Sequence, residues 1–130
     1  MVMCPTSLCD HWVNEIHRWT TLRASRIVNG KTLPDFDADV VVGSFDLIKN
    51  AKSWVHAAIV SKTWGTALCD ECHGLKNKDS MRTKTLLPIL RRAQRVILIS
   101  GTPQLATPSE LWTQMSVLVP RWMSWMAVES

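Results

Sequence analysis

The sequence predicts an α/β fold built on a mostly parallel sheet. Short apolar runs alternate along the chain with stretches of helical period, the pattern of strands joined by crossover helices. Val40, Val41 and Val42 form an unbroken β-branched run, which suits a strand covered on both faces. The chain has 130 residues, 46% of them apolar. That is room for about one domain with a core of its own.

Val2 to Cys4 reads as a strand closed by Pro5. Thr6 or Ser7 is placed to cap a helix, with Asp10 three residues beyond Ser7 in capping-box spacing. Leu8, Trp12, Ile16 and Trp19 then follow at helical intervals and are expected to share one buried face. Arg26 to Val28 is a short strand candidate, and Lys31 to Asp39 is a loop with Pro34 and three Asp. After the Val40 run, Leu47, Ala51, Val55 and Ile59 recur every four residues and predict one helix. Thr66 to Cys69 is a short apolar run. A helix from about Ser80 to Ala93 is expected to bury Leu86, Leu87 and Leu90, and Val96 to Ile99 is a clear strand. Thr107, Pro108 and Glu110 mark the start of a last helix, carried on by Leu111, Met115 and Leu118 and ended by Pro120.

The net charge is +4. It permits a nucleic-acid partner without requiring one. No apolar run approaches the roughly 18 residues of a membrane span, so no membrane role is expected. The first twenty residues carry Asp10 and Glu15 but only Arg18 as a basic residue, unlike a signal or transit peptide. A cytosolic or nuclear setting is expected, with the four Cys as thiols rather than disulfides.

Asp70-Glu71-Cys72-His73 is the richest chemical segment. Ligands of an open parallel sheet collect beyond the carboxyl ends of its strands, and Asp70 and Glu71 fall just past Thr66 to Cys69. Adjacent carboxylates there suit nucleotide hydrolysis. One holds Mg²⁺ against the nucleotide's phosphates; the other orients the attacking water. Asp70 is assigned to the metal and Glu71 to the water. His73 is placed to sense the nucleotide. Two other readings use the same letters. Cys69 to His73 spells the Cys-x-x-Cys-His of c-type haem attachment, which needs export. Cys69 and Cys72 could also pair with Cys4, Cys9 and His11 around zinc, although the spacing is not that of a zinc knuckle. By itself the segment would better suit a solvated loop, with Cys69 in the core. A second feature favours the site: the strand Val96 to Ile99 ends in Ser100-Gly101-Thr102-Pro103. Hydroxyls around a glycine can approach a phosphate or bond a neighbouring carboxylate.

Four segments in order resemble the first RecA-like lobe of Swi/Snf-type ATPases, the helicase-like enzymes of superfamily two. They are Cys4-Pro5-Thr6-Ser7-Leu8 with Trp12 to Ile16; Val42-Gly43-Ser44-Phe45-Asp46-Leu47; Asp70 to Asn77, with Cys72 where Ser or Ala is usual; and Ser100 to Pro103 followed by Pro108, Glu110 and Leu111. The proline inside the last segment, with Arg82-Thr83-Lys84, resembles the annealing-helicase branch more than nucleosome remodellers. The resemblance covers about residues 1–120, with 121–130 a divergent tail. It implies a partial RecA-like parallel sheet with flanking helices, from a nuclear DNA-dependent ATPase and translocase that remodels or reanneals DNA. Asp70 and Glu71 would serve Mg·ATP, with His73 beside the nucleotide. Ser100, Gly101 and Thr102 would couple hydrolysis to movement. Pro5, Thr6, Ser7, Ser44 and Phe45 would line a path for double-stranded or branched DNA, with Lys76, Arg82 and Lys84 adding charge.

The family's phosphate-binding loop is not evident. Ser25 to Thr32 imitates Gly-x-x-x-x-Gly-Lys-Thr apart from its first residue. It is rejected because it follows an expected helix end, is bulky at Arg26, Ile27 and Val28, and runs on to Pro34 where a helix should begin. The loop is expected upstream of Met1, and the second lobe with its arginine finger elsewhere in the ATPase. By itself the chain is then expected to hydrolyse ATP feebly or not at all and to be poorly soluble. A non-catalytic binding module derived from such a lobe is the alternative.

Overall fold

The computed structural model describes residues 1–75, 77, 79–102 and 111–119. Its strands are β1 (Val2–Cys4), β2 (Ala24–Arg26), β3 (Val40–Ser44), β4 (Thr66–Cys69) and β5 (Arg95–Leu98). Its helices are α1 (Cys9–Trp19), α2 (Phe45–Ile48), α3 (Trp54–Ser61), α4 (Met81–Arg92) and α5 (Trp112–Leu118), with single 3-10 turns at Thr6–Leu8 and Cys72–Leu75. The strands form one sheet in the order β2-β3-β1-β4-β5, and every neighbouring pair is parallel. All strand ends that matter for chemistry therefore share one rim.

Both faces are used. Met3, Val41, Ala67 and Cys69 point to the face covered by α2, α3 and α4, where Ile48, Val55, Ile59, Leu86 and Leu90 are buried. Val2, Cys4 and Val42 point the other way, against Trp12, Val13 and Ile16 of α1. This alternation is the period-2 geometry of a strand. It is why Val40 to Val42 is apolar throughout. At Gly43 a Cβ would come within 2.6 Å of the buried Ile27 Cδ1, so a side chain there would have to displace the Ile27 side chain from the core.

The helix expected from about Ser80 is α4, and Ser80 caps it, its Oγ accepting from the Thr83 N–H. Other expectations are corrected. The short strand lies at Ala24–Arg26 rather than Arg26 to Val28; Ile27 is buried and bonds Val42, but Val28 is 70% exposed. The helix expected through Leu47 and Ile59 is two helices. Asn50 O accepts from the Ser53 N–H, and Ser53 Oγ then caps α3 through His56. Ala51 sits exposed in the break. Neither Thr6 nor Ser7 caps α1, which grows out of the 3-10 turn with no side-chain cap. Trp19 is 71% exposed, its indole donating to Glu15 and stacked by Arg18. In α5 the buried residues are Thr113, Gln114, Ser116 and Val117, while Leu118 is half-exposed. The helix start at Thr107, Pro108 and Glu110, the end at Pro120 and the tail 121–130 lie outside the described residues.

Candidate functional site

Strands β4 and β5 pair in register from Thr66↔Arg95 to Cys69↔Leu98. Two more hydrogen bonds extend this ladder past the strand ends. Ile99 N donates to Cys69 O and Cys72 N donates to Ile99 O, both at 2.9 Å. They hold the 70–72 and 99–101 segments side by side on the carboxyl rim.

Asp70 and Glu71 occupy that rim. Asp70 Oδ1 accepts the Glu71 N–H at 2.8 Å, and Asp70 Oδ2 accepts the indole N–H of Trp12 at 2.8 Å. Glu71 has φ 52°, the only non-glycine residue in the left-handed region among the described residues. A side chain in that region is uncommon, and such strain concentrates at functional sites. Its Oε2 lies 3.1 Å from His73 Nδ1, and its side chain is 41% exposed, so water reaches it. His73 Nδ1 is also 3.1 Å from Ser100 Oγ, which accepts the Thr102 N–H at 3.1 Å. Glu71, His73, Ser100 and Thr102 form one chain of contacts between the two strand ends. Beside Gly101, an added Cβ would meet nothing within 4 Å.

The structure treats the other expected site residues unequally. Thr6 and Ser7 are exposed in the turn after β1, and Pro5 is half-buried. Ser44 is buried and its Oγ is used to cap α2, accepting from the Leu47 N–H. Phe45 is also buried, and the Arg82 guanidinium covers its ring at 5.0 Å. At that strand end the surface is made instead by Thr6, Asp46, Lys49 and Arg82. Thr6 Oγ1 donates to Asp46 Oδ2 at 3.4 Å, and Lys49 donates to Asp46 Oδ1 at 2.6 Å. The Lys49 hydrogen bond holds the Asp46 carboxyl below its ordinary pKa. Arg82 also lies against Gly74, where a Cβ would come within 2.8 Å of its Nη1. It lines an open cleft of about 340 Å³ with Lys49, Ser80 and Met81. Lys84 is exposed on α4. Lys76 and Pro103 lie outside the described residues.

The cysteines are turned inward. Cys69 and Cys72 are buried in the core under α4, while Cys4 and Cys9 lie in the cluster under α1, their sulfurs 3.6 Å apart. The two pairs thus face opposite sides of the sheet and do not converge on one ion. Burial pushes the Cys69 thiol up to about 12 and raises the Cys4 and Cys72 thiols as well. All four are free thiols.

The segment resembling a phosphate loop begins inside β2, not after a helix end as expected. What disqualifies it is its hydrogen bonding. Asn29 Oδ1 accepts the Lys31 and Thr32 N–H groups at 2.8 Å each. Those are the amides such a loop would turn to a phosphate. No helix starts at Thr32.

The SNF2-related domain model matches residues 1–127. The chain belongs to this family. SNF2-related chains are helicase-like ATPases. In the search of curated proteins it is 32% identical over 124 residues to the Xenopus laevis "SWI/SNF-related matrix-associated actin-dependent regulator of chromatin subfamily A-like protein 1", covering 92% of the chain and 12% of that relative. It is 30% identical over 127 residues to the human "DNA annealing helicase and endonuclease ZRANB3", covering 93% of the chain and 12% of that relative. Among solved structures it is similar to the Sulfolobus solfataricus SWI2/SNF2 ATPase core in complex with dsDNA. There the TM-score is 0.75 at 20% identity, over 92% of the chain and 25% of that one. The fold is the RecA-like parallel sheet of that core. The SNF2-related chain thus spans about one eighth of the curated relatives it matches.

Trp12 lies in the first family segment, but sequence reasoning missed its part in the site, as it missed Lys49. Helical spacing marked Trp12 as a core residue, and nothing in the spacing pointed its N–H at Asp70.

Proposed function

We propose that this SNF2-related lobe carries the metal and water-activating acids of a DNA-dependent ATPase that remodels or reanneals DNA in the nucleus. The observation that carries the reading is the meeting of Asp70 and Glu71 with Ser100 and Thr102, through His73, on one rim of a parallel sheet. Asp70 would hold Mg²⁺, which bridges the phosphates of ATP and neutralises their charge. Glu71, open to solvent, accepts a proton from the attacking water. His73 reports the state of Glu71 to Ser100, and Ser100 to Thr102 pass it to the rest of the motor. Cys69 and Cys72, buried as neutral thiols, take no part.

Duplex or branched DNA would lie over the same rim beyond β1 and β3. Thr6 and Ser7 meet its phosphates, with Arg82, Lys84 and Lys76 adding charge, whereas Ser44 and Phe45 shape this surface from beneath. The naming of one relative as a DNA annealing helicase supports this partner. The outer edge of β5 is unpaired among the described residues, and Ile97 on it is 47% exposed. Such an open apolar edge suits a neighbouring strand. We assign it to a phosphate-loop segment, which completes the lobe together with a second RecA-like lobe.

The 130-residue chain is therefore expected to bind duplex DNA but not to turn over ATP. Binding should be indifferent to sequence and should weaken steeply between 50 and 200 mM salt, as counterion release dictates (both concentrations a rough working range). Replacing Arg82 by Ala should lower the salt slope by about one. DNA-stimulated ATP turnover by this chain alone would contradict the assignment of the phosphate loop and arginine finger to other segments. Binding that ignores salt would contradict the DNA surface.

A further inference from the structure

Asp70 is gripped from two sides. Its Oδ1 is held by its neighbour's backbone N–H, and its Oδ2 by the Trp12 indole, each at 2.8 Å. The second grip comes from a different element. Trp12 stands one turn inside α1, and α1 begins at Cys9, directly after the Thr6–Leu8 turn. That turn is the exposed end of β1, tied back by Leu8 N to Pro5 O at 3.0 Å. The indole packs with Val13 and Ile16 against the cluster around Val2 and Val42. It is therefore fixed to α1 on one side and to the acid on the other.

A half-buried indole N–H ordinarily finds some acceptor. Here the acceptor is the carboxylate assigned to the metal, and the donor's helix starts at the turn assigned to DNA. A hydrogen bond to a carboxylate is charge-assisted and orients the group. It also weakens steeply once the donor angle falls below about 120°. A shift of α1 by a fraction of an ångström, driven by a phosphate seating on Thr6 and Ser7, would tighten or release it.

We propose that Trp12 is a positioning residue that couples occupancy of the Pro5–Ser7 turn by DNA to the orientation of Asp70. It thereby makes ATP turnover respond to DNA. This rests on the proposed function, in which Asp70 holds Mg²⁺ and the turn meets DNA. It adds a residue and a route that neither assignment contains.

The test uses the two-lobed ATPase to which the proposed function assigns this chain. Two rates are measured, turnover with and without saturating duplex DNA, each across a range of Mg²⁺. Trp12→Phe keeps a large apolar ring and removes the N–H. The expected result is a loss of DNA stimulation, measured as the ratio of the two rates, by about tenfold, the scale set by a hydrogen bond to a charged group. The Mg²⁺ needed for half-maximal stimulated turnover should rise in parallel, as should the dissociation constant for Mn²⁺ titrated with ADP and duplex DNA in the absence of turnover, and added Mg²⁺ should recover much of the rate. Placing 3-benzothienylalanine at position 12 replaces only the ring N–H by sulfur and should give the same two changes. A purely structural role would instead lower both rates together, leave their ratio intact and spare the benzothienyl variant; that result overturns the proposal. Glu71→Gln is run in parallel. If it retains turnover, the site assignment itself fails. If it is inactive while both position-12 variants keep full stimulation, only the coupling role of Trp12 fails.

Discussion

Glu71→Gln in the two-lobed ATPase should abolish DNA-stimulated turnover while leaving ATP and DNA binding in place. The side chain keeps its size, and the amide can still approach His73. It cannot take a proton from water. General-base catalysis is worth about 10²–10⁴ in rate, so the loss should lie in kcat and not in the apparent affinity for ATP. Asp70 keeps its two hydrogen bonds in this variant, since one comes from a backbone N–H and the other from Trp12. The left-handed backbone at Glu71 is likewise kept. Steady-state hydrolysis with single-turnover kinetics separates binding from chemistry. A variant that turns over ATP within a few-fold of the parent would remove Glu71 from the water-activating role.

The second large effect concerns the fold. Leu86→Ala should destabilise the chain by about 2–5 kcal/mol, the range for emptying a fully buried leucine site. Leu86 is 0% exposed in the core beneath α4, alongside Ile89 and Leu90. Against a typical domain stability of about 5–15 kcal/mol, that is a large fraction. Leu87, also expected from sequence to be buried, is only partly so. Leu87→Ala should therefore cost clearly less. Urea denaturation checks both. The midpoint should fall much further for position 86 with the slope unchanged, and equal losses would contradict the packing of α4.

The same contrast between neighbouring leucines marks what could be read from the sequence. Period is local, so the Val40 to Val42 strand and the helix from about Ser80 were legible. The rim was legible as well. A parallel sheet sends every strand end the same way, so the ends of β4 and β5 had to bring Asp70 near Ser100. Local period misled where two short elements share one phase. Leu47, Val55 and Ile59 face one core although Asn50 to Ser53 break the helix between them. Trp19 carried the right spacing, but α1 outruns the sheet and leaves that ring to Glu15 and Arg18. Helix rotation over a sheet is set by tertiary packing and leaves no local signal. That is why the bond between Trp12 and Asp70 was invisible. The cover over Phe45 likewise comes from Arg82, 37 positions further along.

The most direct test of the whole account is where the divalent ion sits when nucleotide is bound. Mn²⁺ in place of Mg²⁺, bound with ADP in the two-lobed ATPase, broadens nearby NMR signals. The backbone amide of Glu71, the indole of Trp12 and the amide of Thr102 should be lost first, and Asp70→Ala should restore them. Broadening centred instead on the acidic loop at Asp35, Asp37 and Asp39, with the Glu71 and Thr102 signals intact, would contradict the assignment of this rim to the metal and nucleotide.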